Sequence, residues 1–103
     1  MFNIMYADKE DNIFYVSNGK MPNRNPDKKY NWASTVPGNT RATLWTTFKP
    51  FDALPQHLNP NAGYLFNTNH SPFMATDEKE NLNPANFDPN DGYEMYHNNR
   101  SRR

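Results

Sequence analysis

Two asparagines that follow an apolar run are the residues best placed to do chemistry in this sequence. The run Tyr64–Phe66 passes directly into Asn67 and Asn69 within the stretch NPNAGYLFNTNHSPF, residues 59–73. Asparagine is a poor strand residue because its side chain competes for nearby backbone groups. Two of them at the end of an apolar run therefore indicate either a turn or an amide presented to a ligand.

The serine, histidine and acidic residues form no specific catalytic pattern. None of the serines lies in a G-x-S-x-G turn. A triad drawn from Ser71, His57 or His97 and an acid would be an arbitrary choice among common residues. The histidines also lack the spacing of zinc ligands. We therefore expect surface or hydrogen-bonded histidines at His57, His70 and His97.

The stretch FDPNDGYE, residues 87–94, is similar to a calcium loop because Asp88, Asn90 and Asp91 precede Gly92. Its spacing departs from D-x-[DN]-x-[DN]-G, and no acid stands where the bidentate ligand belongs. We expect a turn stabilised by Asp and Asn side chains at this position.

Length and composition limit the chain to one small domain. It has 103 residues, of which 35% are hydrophobic and 15% aromatic, and no cysteine. An independent core would depend on few groups, mainly aromatic, without help from disulfides. The absence of cysteine also excludes thiolate zinc sites and cysteine nucleophiles, and it leaves the redox compartment open.

Charge and hydropathy argue against nucleic-acid and membrane partners. The formal net charge is zero, from 11 basic and 11 acidic residues, whereas nucleic-acid binders carry a basic surface. The basic cluster at residues 100–103 is expected to be a solvated tail. No apolar run approaches the roughly 20 residues that cross a bilayer. The start, MFNIMYADKED, is not typical of a signal peptide.

The regular structure that the sequence predicts is a β-hairpin and one further strand. FNIMYADKEDNIFYVS predicts strands at residues 2–7 and 12–17, joined by a polar connection at residues 8–11. Successive apolar residues in both arms predict that other parts of the protein cover both faces. Residues 64–66 are predicted to form the third strand.

Loops are predicted for most of the remaining chain. Residues 18–38 are rich in Asn, Pro and Gly, which predicts a long ordered loop anchored by Tyr30 and Trp32. Three short elements are also expected: a strand or helical turn at residues 42–48, a helical turn capped by Asp52, and the start of a helix at residues 93–103.

Four motifs occur in a defined order: NIMYADKEDNIFYVSNGKMPNR, VPGNT, PFDALPQHLNPNAGYLFNTNHSPF and NNRSRR. Together they resemble the middle of the β-chain of penicillin acylases. These belong to the N-terminal nucleophile hydrolases, with cephalosporin acylases and acyl-homoserine-lactone acylases. The most specific part of the resemblance is the pattern N-P-x-x-G-x-x-x-N-x-N-x-x-P, filled here by Asn59, Pro60, Gly63, Asn67, Asn69 and Pro72.

The resemblance covers essentially the whole chain and implies its fold class. This class is α+β, as a fragment of the four-layer αββα fold of N-terminal nucleophile hydrolases. The fragment is expected to be mostly the β-hairpin, the further strand and long loops. Residues 1–103 would form a single partial domain, with the hairpin at about residues 2–17 and the oxyanion-loop region at about residues 59–73.

The resemblance assigns the main catalytic role to Asn69. The second asparagine of the N-x-N element extends its side-chain amide into the oxyanion hole of these enzymes, and Asn69 has this position. Losing one such donor typically costs about 2.7–4 kcal/mol of transition-state stabilisation. Asn67 is instead expected to tie the turn together.

Two further roles are implied by position in the family pattern. Arg100 matches an arginine that holds the active-site amides in place, with Arg102 or Arg103 as alternatives if the register shifts. Pro22 resembles a proline whose carbonyl binds a structural calcium ion in some members. No cofactor is required, and calcium is the one metal that the resemblance implies.

The implied reaction is the attack of an N-terminal serine on the carbonyl of an N-acyl amide, followed by hydrolysis of the acyl-enzyme. This chain starts with Met1 and Phe2 and lacks that nucleophile, so it is expected to be an internal piece that is inactive alone. Its implied partners are the α-chain and the rest of the β-chain, and its substrate an N-acyl amide. The parent is expected in the periplasm or outside the cell, and the location of this chain is left open.

An alternative hypothesis is a small aromatic and asparagine-rich binding or interaction module without catalysis. Its docking surface would comprise Trp32, Trp45, Tyr64 and Phe66, since aromatic side chains suit sugars and peptides. The same residues also fit an interior face of a larger enzyme. A third hypothesis is a short chain that complements another polypeptide in trans.

Overall fold

The computed structural model describes residues 2–24 and 29–102. Three antiparallel strands form one sheet in the order β1-β2-β3, with β1 at Phe2–Ala7, β2 at Ile13–Asn18 and β3 at Gln56–Leu58. Short 3₁₀ turns lie at Arg41–Thr43, Phe51–Ala53, Pro72–Met74, Pro84–Asn86 and Pro89–Asp91. The described residues include no α-helix. The sheet is compatible with part of a larger α+β domain, and the four-layer αββα arrangement stays a prediction.

The hairpin expected at about residues 2–17 corresponds to β1 and β2, which pair along their whole length. Asp8 closes the connection between them. Its carboxylate accepts hydrogen bonds from the backbone N–H groups of Glu10 at 3.0 Å and Asn12 at 2.9 Å. A further bond from the Asn12 side chain does most to hold the pKa of Asp8 below its ordinary value.

The third strand is β3, so the prediction of a strand at residues 64–66 was wrong. β3 pairs antiparallel with β2. Residues 64–66 bond to a loop instead: the Phe66 N–H donates to the Ala75 carbonyl at 2.9 Å, and the Thr76 hydroxyl donates to the Tyr64 carbonyl at 2.9 Å. A short apolar run does not by itself reveal whether a strand or a loop is its partner.

The hydrophobic core lies between β2 and the loops that come after β2 in the chain. Its buried members are Val16, Met21, Leu54, Phe73 and Tyr93. The ring of Phe73 lies 5.9 Å from the ring of Tyr93, centroid to centroid, in an edge-to-face arrangement that favours aromatic pairs. Aromatic side chains therefore pack two of these loops against each other.

Cover on both faces of the hairpin was expected, and the described residues provide it only for β2. Tyr15 and Val16 are 0% and 2% exposed. In β1, by contrast, Phe2 is 78% exposed and Tyr6 is 54% exposed. Within residues 2–24 and 29–102, the apolar side chains of β1 thus remain largely uncovered.

The long loop after β2 contacts the segment at residues 45–48 in two places. Pro22 pairs with Phe48 in an isolated antiparallel bridge, and Trp32 packs on Trp45 with ring centroids 5.5 Å apart. Where a strand or helical turn was expected at residues 42–48, a helical turn lies at Arg41–Thr43, and Phe48 forms the bridge to Pro22. Positions 25–28 of the predicted loop lie outside the described residues.

Two local expectations were wrong. A helical turn does form at Phe51–Ala53, but Asp52 lies inside it, and the capping position is held by Pro50 without a side-chain hydrogen bond. The described part of residues 93–103 forms turns and no helix. There the side chain of Asn98 accepts the backbone N–H groups that a helix would have used.

Candidate functional site

Asn69 lies at the tip of a tight turn after the apolar run. Its φ of 60° is left-handed, a conformation that asparagine tolerates better than most residues. The Asn69 N–H donates to Oδ1 of Asn67 at 2.8 Å, and Nδ2 of Asn67 donates to the carbonyl of His70 at 3.3 Å. The prediction that Asn67 ties this turn together is confirmed.

The turn is connected to the sheet through Tyr15 of β2. The Tyr15 hydroxyl donates to Oδ1 of Asn3 at 2.9 Å and accepts from Nδ2 of Asn67 at 3.4 Å. Burial raises the pKa of Tyr15 to about 12. The Tyr15 hydroxyl therefore stays protonated across the physiological pH range and continues to donate to Asn3.

Arg100 fixes the orientation of the Asn69 carboxamide. Its Nη2 donates to Oδ1 of Asn69 at 3.0 Å. A guanidinium has donors and no acceptor, so the amide must turn its oxygen toward Arg100 and its NH₂ group away. Among the described residues Nδ2 of Asn69 has no hydrogen-bond acceptor, and the residue is exposed. The amide donor is thus available to a ligand.

The turn that carries Arg100 is attached to the turn that carries Asn69. Oδ1 of Asn98 accepts the backbone N–H groups of Arg100 at 2.9 Å and Ser101 at 3.0 Å. Nδ2 of Asn98 donates to the carbonyl of Thr68 at 2.8 Å. Asn98 therefore sets the register in which Arg100, and not Arg102, reaches Asn69. Arg103 lies outside the described residues.

A cleft of about 90 Å³ adjoins the turn that carries Asn69. It is lined by groups from the sheet, from residues 69–72 and from residues 93–94: Asn3, Ser17, Asn69, His70, Pro72, Tyr93 and Glu94. Burial raises the pKa of Tyr93 to about 12. A larger cavity of about 790 Å³ lies at Tyr30 and Pro89 and includes none of the predicted site residues.

Pro22, the expected calcium ligand, is buried in the bridge to Phe48. The cavity beside it is lined by Arg24 and by Asp91, whose carboxylate forms an ion pair with Lys49. No three His, Asp or Glu side chains in the described part of the chain could jointly hold a metal. Calcium takes roughly six to eight oxygen ligands, backbone carbonyls among them, and its binding through Pro22 stays a prediction.

The histidines come closer together than the sequence indicated. The rings of His70 and His97 stack with centroids 5.1 Å apart. His57 is buried elsewhere, on β3, where burial lowers its pKa. Ser71 is fully buried, and its hydroxyl accepts the N–H of Phe73 at 3.2 Å. The hypothetical triad around Ser71 therefore has its serine in a structural cap.

The sequence did not predict that Asn98 and His70 would hold the turns around Asn69 in place. The spacing of Asn98 and Ser101 is typical of a turn stabilised by polar side chains, and this signal could have located the first. No local signal marks the second. The acidic stretch at residues 88–92 does form the expected turn, because the Asp88 carboxylate accepts the N–H of Asn90 at 2.9 Å.

The aromatic residues of the alternative docking surface form two pairs. Trp32 contacts Trp45, and Tyr64 contacts Phe66 with ring centroids 6.3 Å apart. Within the described residues no ring contact joins the two pairs. No helix in this part of the chain has the length and apolar character needed to span a membrane.

A sheet that carries a loop with an oriented carboxamide is compatible with part of an acylase domain, and comparison with known families gives the class. The chain belongs to the penicillin amidase family, whose sequence model matches residues 1–103.

Among individual proteins, the penicillin G acylase of Escherichia coli is similar to this chain. The two are 39% identical over 70 residues, which cover 68% of this chain and 8% of that acylase. The chain thus matches a small share of the length of its relative.

Proposed function

We propose that this chain is part of an acylase that hydrolyses N-acyl amide bonds, in which Asn69 donates a hydrogen bond to the oxyanion. The hydrogen bond from Arg100 to Oδ1 of Asn69 carries this proposal, because it leaves Nδ2 available as a donor. Membership of the penicillin amidase family supports amide hydrolysis as the reaction. The name of the Escherichia coli relative suggests penicillin G as the first substrate to test, and antibiotic metabolism as the setting.

Amide hydrolysis requires a hydrogen-bond donor beside the oxygen of the carbonyl that is attacked. When a nucleophile attacks the acyl carbon, the carbonyl oxygen takes up negative charge, and a prepositioned N–H group stabilises it. A carboxamide provides that N–H without a proton transfer of its own. Arg100 acts as a positioning residue, since its guanidinium determines which end of the Asn69 amide faces the substrate.

The nucleophile in this proposal is an N-terminal serine from another stretch of the acylase, and this chain alone is inactive. Hydroxyl groups near Asn69 have structural partners: Ser71 caps a turn, and Ser101 accepts the N–H of Asn98 at 3.0 Å. The partners are then the α-chain and the rest of the β-chain. We place the complete acylase in the periplasm or outside the cell.

A chimera in which this chain replaces the matching segment of the Escherichia coli penicillin G acylase tests the role of Asn69. Asn69→Ala should lower kcat for penicillin G on the order of 10²–10³-fold and change KM little, because the lost donor acts in the transition state. Asn86→Ala is the matched control, since Asn86 is exposed and distant from the Asn69 turn in sequence. A loss of less than about tenfold with the structure intact would refute the assignment.

A further inference from the structure

His70 is a buried histidine whose two ring nitrogens both have partners. The residue is 1% exposed. Its Nε2 lies 2.9 Å from the Met74 carbonyl oxygen, and its Nδ1 lies 3.1 Å from the backbone nitrogen of Thr68. A carbonyl only accepts and a backbone N–H only donates, so Nε2 carries the proton and Nδ1 presents its lone pair. The two bonds fix the neutral Nε2–H tautomer.

These bonds hold the backbone on both sides of Asn69. Thr68 precedes Asn69 directly, and the ring of His70 joins it to Met74 beyond the turn. Asn69 itself has a left-handed φ of 60°. A conformation of this kind persists when its surroundings restrain it. The acceptor at Nδ1 is one of these restraints, because without it the Thr68 N–H loses its partner.

The same ring connects the Asn69 turn to the Arg100 turn. Its centroid lies 4.7 Å from the ring of Phe66 and 5.1 Å from the ring of His97. Nδ1 of His97 lies 2.9 Å from the hydroxyl oxygen of Ser101, in the turn that presents Arg100. The rings of Phe66, His70 and His97 therefore form a cluster that packs the Asn69 turn against the Arg100 turn.

We propose that His70 is a positioning residue that keeps the Asn69 amide donor directed at the substrate. This inference rests on the proposed function of Asn69. His70 acts through Thr68 and through the stack on His97, and it touches no reacting atom. Two substitutions separate its contributions. His70→Phe retains an aromatic ring for stacking and removes both ring hydrogen bonds, whereas the amide of His70→Asn can replace Nδ1 as acceptor for the Thr68 N–H.

Nuclear magnetic resonance on the full chain tests the geometry directly. The ¹⁵N shifts of His70 should report a neutral ring protonated at Nε2. His70→Phe should displace the side-chain resonances of Asn69 and of Arg100, which contacts it. His70→Asn should restore those of Asn69, because its amide again accepts the Thr68 N–H, whereas those of Arg100 should stay displaced, because the ring that stacks on His97 is absent. His57→Phe is the matched control, because His57 is a buried histidine on β3 and lies outside the two turns.

Two outcomes on the chain would overturn the inference. One is a His70 ring protonated at Nδ1, which can be measured without any variant. The other is unchanged Asn69 and Arg100 resonances in His70→Phe. Either result would mean that the imidazole fills space in the core without orienting the donor.

Kinetics in the chimera separate this inference from the proposed function. With penicillin G, His70→Phe should lower kcat by on the order of tenfold to a hundredfold at nearly unchanged KM, a typical cost of misplacing a catalytic group. His70→Asn should recover part of the loss, because it replaces the acceptor at Nδ1 and lacks the ring that stacks on His97. If Asn69→Ala lowers kcat while His70→Phe does not, the positioning role fails alone. If Asn69→Ala has no effect on kcat, the proposed function fails. The proposed contribution of His70 to catalysis then fails as well.

Discussion

The outer strand β1 and the turn that carries Asn69 differ in how their backbone is held and in how deeply their side chains are buried. β1 is paired to β2 along its length, yet Phe2 is 78% exposed. The segment at residues 66–76 contains one short 3₁₀ turn, yet Ser71 and Ala75 are fully buried. Backbone pairing in β1 thus comes without burial of its side chains, whereas the Asn69 segment is buried with little regular structure.

The difference teaches how a small chain can fix a functional amide without a long strand or helix. In β1 the restraints are backbone hydrogen bonds, which hold the strand and leave side chains free. Around Asn69 the restraints come from the side chains of Asn67, His70 and Asn98, each bonded to backbone groups. Side chains of this kind determine where a turn points, and loops held on a rigid scaffold often carry function.

The largest effect that this comparison predicts concerns stability. It is tested by truncating one phenylalanine in each region, Phe73 in the segment at residues 66–76 and Phe2 in β1. Phe73→Ala should lower the free energy of unfolding by about 3–5 kcal/mol, because it removes a buried ring from the aromatic core. Phe73 is 5% exposed. Phe2→Ala, at the exposed edge, should change stability by no more than about 0.5 kcal/mol. Urea unfolding of both variants measures the difference, and equal losses would mean that β1 is packed in solution.

The hairpin could be predicted because its signals are local. Apolar residues on either side of a short polar connection define both arms and their approximate ends. The third strand could not be found in this way. β3 is a three-residue segment, Gln56–Leu58, that becomes a strand through its partner β2. Residues 64–66, although more apolar, have their partner in a loop.

In the candidate site too, contacts between neighbouring residues followed from local sequence patterns, whereas contacts between residues far apart in the chain did not. The role of Asn67 follows from amide chemistry within a few residues, and it was predicted correctly. The contact between Asn69 and Arg100 joins residues 31 positions apart, and it was expected only through resemblance to a family. The stack of His70 on His97 depends on how two turns pack, and no periodicity in the sequence encodes that packing.

A second test removes one side-chain restraint from the Asn69 turn. Asn67→Ala deletes the acceptor for the Asn69 N–H and the donor to the His70 carbonyl. We expect a loss of about 1–2 kcal/mol in unfolding free energy and faster hydrogen exchange at the Asn69 amide. Asn86→Ala serves as the control, because Asn86 is exposed and lies in a different turn. Matching exchange rates in the two variants would show that the turn is held without Asn67.

The smallest expected effect lies at the contact between the two regions, where Tyr15 of β2 meets Asn3 and Asn67. Tyr15→Phe removes the hydroxyl from both contacts, and at neutral pH this should cost about 1 kcal/mol of unfolding free energy. The pH dependence is more specific. Burial raises the pKa of Tyr15 from its ordinary 10.0 to about 12, so the unfolded chain loses this proton at lower pH than the folded chain. The stabilisation from Tyr15 is therefore complete below pH 10 and is lost as the pH rises toward 12.

Urea unfolding of the unmodified chain and Tyr15→Phe across that alkaline range measures this contribution. Stability of the unmodified chain should fall more steeply, by at most about 1.4 kcal/mol per pH unit, because one additional proton separates its folded and unfolded states. Tyr93, whose pKa is also raised to about 12, is present in both proteins and contributes equally to each. If both slopes are equal, Tyr15 is accessible to water in solution, and the sheet does not anchor the Asn69 turn through this hydroxyl.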